Sequence, residues 1–194
     1  MSAPRSPGGV ARAHLDALFA KVEGFFTAAK AREGADITCH AGCSDCCRRF
    51  TVTGLEAEVI SEGLAGLTAA RREELSARAR DDTTTVCPAL DEGGRCAIYA
   101  HRPVICRTHG LPIRFTEEHA GRSLPMLDAC PKNFVGRDLA GVSPASVMDQ
   151  TTLSTILGAL DAADADERGR VRGQRVGIVE LLAMQEADAR GGGK

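Results

Sequence analysis

The sequence predicts a mainly α fold, with helices packed around a small irregular cysteine-rich core and at most a short β-hairpin. Three observations carry that expectation. Apolar residues recur at helical spacing near the start, the middle and the end of the chain. All eight cysteines fall between positions 39 and 130. Between them the pattern is broken by Gly and Pro and shows little sustained alternation.

The elements follow in order. Residues 1–9 read as a disordered tail. From Val10 to Arg32, Leu15, Leu18, Phe19, Val22, Phe25, Phe26 and Ala29 mark one face of an amphipathic helix, which Gly34 breaks. Phe50 and Val52 alternate with polar residues and suit a short extended piece. Thr53-x-x-Glu56 is a capping-box signature for a helix carrying Val59, Ile60, Leu64 and Leu67. Thr68 caps a further helix to about Arg80, on which Arg71, Arg72, Arg78 and Arg80 read as a solvated face. Val86 to Tyr99 reads as two extended pieces around a Gly-Gly turn. Pro103 opens a helical turn, because its missing donor costs nothing at the first helical position. His109 to Phe115 is a loop leading toward a strand. Ser143-Pro144 is expected to start a helix with Met148, Leu153, Ile156, Leu157 and Leu160 on its stripe. Asp161 to Gly173 is polar, and a last helix is expected from about Gln174 to Ala189. The resulting organisation is an N-terminal helix with its tail (1–35), a cysteine-cluster region (36–136) and a helical extension (137–194).

Composition narrows the function classes. The chain has 194 residues and a formal charge of −2, with both signs interspersed, so no basic stripe marks a nucleic-acid footprint. With six Phe, one Tyr and no Trp, the core is expected to be aliphatic. No apolar run approaches the ~20 residues of a membrane span. The N-terminus lacks the hydrophobic segment of a secretory signal, and Asp16 and Glu23 argue against a transit peptide. The expected compartment is cytoplasmic, where disulfides are rare and thiols serve as ligands.

Cys39, Cys43, Cys46 and Cys47 lie within nine residues, followed by Cys87, Cys96, Cys106 and Cys130. A helix would place the first four within an arc of about 100°; a loop would let Gly42 and Ser44 turn backbone amides toward sulfur. Either way thiolates gather, and adjacent Cys46 and Cys47 suit a disulfide framework poorly. Thiolates are the ligands of zinc, at about 2.3 Å, and of iron–sulfur clusters. Eight supply two four-sulfur sites or one cluster with spare ligands. Arg48, Arg49, Arg95, Arg102 and Arg107 sit near cysteines in sequence and are candidate donors to sulfur. His40 and His109 are read as hydrogen-bond partners of a ligand rather than ligands, and His101 as a surface residue. Asp45 is read as a loop residue bonding backbone. The competing readings of the thiols are buried small hydrophobes, above all Cys130, and a redox switch.

Cys43-x-x-Cys46-Cys47, Thr53-x-x-Glu56, Cys87-Pro-Ala-Leu90, Cys96-Ala-Ile-Tyr99, Arg102-Pro103 and Cys106-Arg107 together resemble the YkgJ-like cysteine-cluster family, a zinc- or iron-chelating domain. The resemblance covers about residues 36–136. It implies chelation of an iron–sulfur cluster, of the 4Fe–4S type among others, or of zinc. Metal or cluster is then the partner, with no nucleic acid and no membrane. The family opens C-x-x-C-x-x-C-C, whereas three residues separate Cys39 from Cys43 here. The cysteine region is also similar to one in flagellin lysine methylases. The alternative class is therefore a cluster-dependent redox or group-transfer enzyme, with a pocket lined by His109, Arg114 and Tyr99. Metal storage or delivery is a third. No glycine-rich nucleotide loop accompanies the cysteines.

Overall fold

The computed structural model describes residues 9–184. The expected N-terminal tail and the final residues of the last expected helix lie outside that range. The fold is mainly α with short β elements. It comprises two compact units, Met1–His40 with Val104–Glu167, and Ala41–Pro103 with Arg168–Lys194.

In the first unit, helix α1 (Val10–Glu33) forms on the predicted face, burying Leu15, Leu18, Phe19, Val22 and Ala29. It packs against α4 (Val104–Thr108), the turn that follows Pro103. Between them Arg107, only 6% exposed, pairs with Glu23 and lays its guanidinium 4.0 Å from the centre of the Phe19 ring. Strands β2 (Ile113–His119) and β3 (Arg122–Asp128) form an antiparallel hairpin. Parallel to β2 runs the two-residue β4 (Met148–Asp149), which fixes the other edge. Ala29, Ile37, Leu111, Phe134 and Val142 form the core beneath.

Helix α5 (Gln150–Arg168) differs from expectation at both ends. Pro144–Ser146 is a single 3-10 turn rather than a helix start, because Met148 N–H donates to Pro112 O (2.8 Å) and draws the next residues into the sheet. The helix begins where the Asp149 carboxylate accepts from Thr152 N (2.9 Å). It then continues through Asp161 to Arg168, carried by the strong helix formers Ala162, Ala163 and Ala165.

In the second unit, β1 (Thr51–Thr53) pairs antiparallel with β5 (Arg175–Gly177). Helix α2 (Gly54–Ala65) starts on the predicted capping box: Thr53 Oγ1 accepts from Glu56 N (3.2 Å) while the Glu56 carboxylate accepts from Thr53 N (3.0 Å). Helix α3 (Ala69–Arg80) is capped by Thr68 as expected, and it packs on α6 (Ile178–Ala183). Val52, Ile60, Leu64, Leu75, Ile98, Ile178 and Leu182 fill the core, each worth about 1.5–3 kcal/mol on full burial.

Two surface expectations are corrected. Only Arg80 of the four α3 arginines is exposed. Arg72 donates to Leu67 O (2.6 Å), and Arg78 bonds Leu90 O and pairs with Glu74 (2.7 Å). Their stems cover apolar surface while their heads bond carbonyls that the turns leave open. His101 is half-buried against Gly63, where only a missing Cβ leaves room for the ring.

Candidate metal centre

The second unit holds Cys43, Cys46, Cys47, Cys87 and Cys96 on three loop segments. The first segment is a loop rather than a helix. Cys47 N–H closes a turn on Ser44 O (2.8 Å), which sets Cys46 and Cys47 at its far end. Cys87 N–H then donates to Cys47 O (3.1 Å), and Arg48 bridges Val86. Leu90 bridges Cys96 across the Asp91–Arg95 turn, supported by Ala97 N to Ala89 O (2.8 Å). This is the predicted pair of extended pieces.

A second tie joins the loop to that turn. Gly42 and Gly94 both have left-handed backbones, with φ of +92° and +73°. A Cβ placed on Gly94 would lie 2.7 Å from Gly42 O. The two turns thus touch backbone to backbone, a contact only glycine allows.

Four of the five thiols of this unit stand in two pairs, Cys46 with Cys47 and Cys87 with Cys96. Cys46 and Cys47 hydrogen-bond each other, and that bond, then burial, then the neighbouring sulfur push the Cys46 thiol up from its ordinary value. Burial pushes the Cys87 thiol up to about 11, against the opposing backbone hydrogen bond at Ala89, and the Cys96 sulfur adds to the rise. Burial likewise raises Cys96, while the Arg102 charge pulls it down. The physical reason is shared: a thiolate without a cation is costly in a half-buried site beside another sulfur. A bound cation inverts that balance.

The first unit holds Cys39, Cys106 and Cys130. Cys39 Sγ accepts from Asn133 Nδ2 (3.3 Å), and its carbonyl accepts from Lys30. Cys106 lies on α4. Cys130 follows β3, and its carbonyl accepts from Asn133 N (2.8 Å).

Residues 38–124 match the CxxCxxCC family, described as a "putative zinc- or iron-chelating domain". That stretch of the chain is similar to the family's domain. No curated protein and no solved structure matches it. Seven of the eight cysteines fall inside the matched range, and Cys130 falls outside it.

Donor chemistry in this region fits such a metal. All eight cysteines are free thiols, half-buried rather than sealed in the core. Among the described residues, however, no three His, Cys, Asp or Glu side chains are drawn together as a ready-made site. The backbone ties bring the segments of the second unit together; the sulfurs stand as pairs.

Several expected helpers are engaged elsewhere. Arg107 serves the ion pair on α1. Arg49 donates to Val86 O (3.3 Å) and to the carbonyl of Asp81, bracing the Cys87 segment through backbone while its charge opposes the rise at the Cys87 thiol. His40 Nδ1 bonds Thr38 O (2.9 Å). Arg114 pairs with Asp149 (2.8 Å), and Tyr99 is 63% exposed beneath the Arg102 guanidinium, 3.7 Å from its ring centre. A cleft of about 660 Å³ lies within the second unit, lined among others by Gly42, Ser44, Arg78, Asp81, Cys87 and Asp91.

The residues that sequence reasoning missed are Asn133 and the glycines at 94 and 110. Gly94 carries a visible signal, as half of the Gly-Gly turn. For Asn133 the sequence holds none beyond its place three residues after Cys130.

Proposed function

We propose that the second unit chelates an iron–sulfur cluster or zinc through Cys43, Cys46, Cys47, Cys87 and Cys96. The observation that carries this is the Cys47–Cys87 backbone hydrogen bond, which sets a Cys-Cys pair beside a second cysteine pair. Cys39, Cys106 and Cys130 are the further ligand candidates, in the first unit. A zinc ion would add a crosslink between loops that backbone ties already bring together, whereas an iron–sulfur cluster would add one-electron chemistry. The protein's own part is to supply buried sulfur, to keep it unbridged and to give up thiol protons on binding. Eight unbridged thiols also fit a reducing, cytoplasmic setting.

Metal analysis with a visible spectrum, on protein purified without exposure to air, tests this reading. Iron with acid-labile sulfide and absorption near ~400 nm supports the cluster. Colourless protein with stoichiometric zinc supports a structural site. Protein holding neither, and taking up neither on reconstitution, overturns chelation.

The cleft at Cys87 favours one second reading, a cluster-dependent redox or group-transfer enzyme. Its volume is that of a small-molecule site, about 300–1,000 Å³. Perturbation of the metal spectrum by a small ligand filling the cleft would support it. A spectrum indifferent to Asp91→Asn, Ser44→Ala and added ligands would count against it.

A further inference from the structure

Asn133 is 4% exposed, and every polar group of its side chain is used. Oδ1 accepts from Thr38 N (2.9 Å) and from Thr38 Oγ1 (2.9 Å). Nδ2 donates to Gly110 O (2.6 Å) and to Cys39 Sγ (3.3 Å). Its backbone N–H closes the turn on Cys130 O (2.8 Å). One residue therefore ties together the three cysteine-bearing segments of the first unit: the Cys39 loop, the loop leaving the Cys106 helix, and the Cys130 turn.

The surroundings over-determine this placement. Phe134, next in the chain, has φ of +54°, a left-handed backbone that a bulky residue rarely adopts. It is held there by burial of its ring and by its N–H to Asp36 O (2.9 Å). Gly110, with φ of +97°, packs so tightly under Cys39 that a Cβ would overlap Sγ. Sulfur is thus pressed onto bare backbone on one side and offered an amide N–H on the other. Structural cysteines need neither. A donor aimed at sulfur favours its charged form and fixes which lone pair is left outward.

We propose that Asn133 is the positioning residue for Cys39, orienting that sulfur toward a metal. This rests on the chelation reading above. Three changes separate its parts. Asn133→Asp keeps the acceptor for Thr38 but replaces the N–H donor by oxygen. Asn133→Ser removes the donor with less charge and serves where the aspartate fails to fold. Cys39→Ser removes the sulfur while leaving a group that Asn133 can still bond.

The full chain is titrated anaerobically with cobalt(II), reading affinity and the sulfur-to-cobalt charge-transfer band. Asn133→Asp is expected to lower cobalt affinity by about 10–100-fold, the range for partners that orient ligands. It should also reduce the band toward the level of Cys39→Ser, with thermal unfolding still cooperative. In the Cys39→Ser background the same change should cost little more, since its route is gone. Equal losses in both backgrounds would make Asn133 merely structural and overturn the proposal. So would a Cys39→Ser band equal to that of the unaltered chain, which leaves chelation by the other thiols standing. Failure of the unaltered chain to bind cobalt would instead sink the chelation reading, and this inference with it.

Discussion

The five cysteines of the second unit and the three of the first are placed by different means. In the second, main chain does the work: Cys47 O receives Cys87 N–H, Leu90 bridges Cys96, and two glycine turns touch at Gly42 and Gly94. In the first, a single side chain gathers the segments, Asn133 bonding Thr38, Cys39 and Gly110. Backbone ties tolerate change in side chains but not at the glycines. A side-chain tie fails at one residue. The same ligand chemistry is therefore exposed to different substitutions in the two units.

Removing ligands should break the comparison most severely. Cys47→Ser and Cys87→Ser are each expected to lower metal affinity more than about 100-fold, beyond the effect of any partner outside the ligand set. Elemental analysis of the purified variants against the unaltered chain measures this. Retention of full metal by both would move the site out of the second unit.

Gly94→Val comes next. It combines a left-handed backbone with a Cβ 2.7 Å from Gly42 O, so about 1–3 kcal/mol of stability should be lost. Denaturant unfolding reads the loss. Metal binding should recover part of it, because ligation holds the folded state. Asn133→Ala should cost a similar amount, about 1–3 kcal/mol, by leaving the buried Gly110 carbonyl without its donor. Hydrogen exchange is the discriminating measurement here. The Thr38 N–H should lose protection while Cys87 keeps it.

A smaller effect is expected at the α2 cap. Thr53→Ala removes one half of a capping box and should cost about 1 kcal/mol, seen as a lower midpoint with an unchanged slope. The smallest concerns Asp149, whose carboxyl is held below its ordinary 3.8 first by Thr152 N–H and then by Arg114. A depressed carboxyl stabilises the fold above its unfolded value and loses that contribution as pH falls through the lower, folded value. Asp149→Asn should therefore flatten the acid limb of stability below about pH 4 and change little at neutral pH.

Much of this was readable beforehand because it is local. The face of α1, the Thr53–Glu56 box, the Thr68 cap and the turn between Cys87 and Cys96 each depend on residues a few positions apart. What escaped depends on distant partners. The Ser143-Pro144 helix start gave way because Pro112 captures Met148. Strand β3 showed no alternation to read, since nearly all of it is exposed and pairing with β2 alone defines it.

By itself, then, the order of residues determined which sulfur atoms are available, which short segments carry them and where α1, α2 and α3 begin. Those outcomes follow from dihedral preference, capping and hydrophobic period, all of which act over a turn or two. Tertiary structure alone decided that Cys47 meets Cys87, that Gly42 lies against Gly94, and that a buried amide from position 133 reaches the sulfur at position 39. Contacts spanning tens of residues are selected by packing and by the need to satisfy every buried polar group, and neither leaves a local mark in the chain.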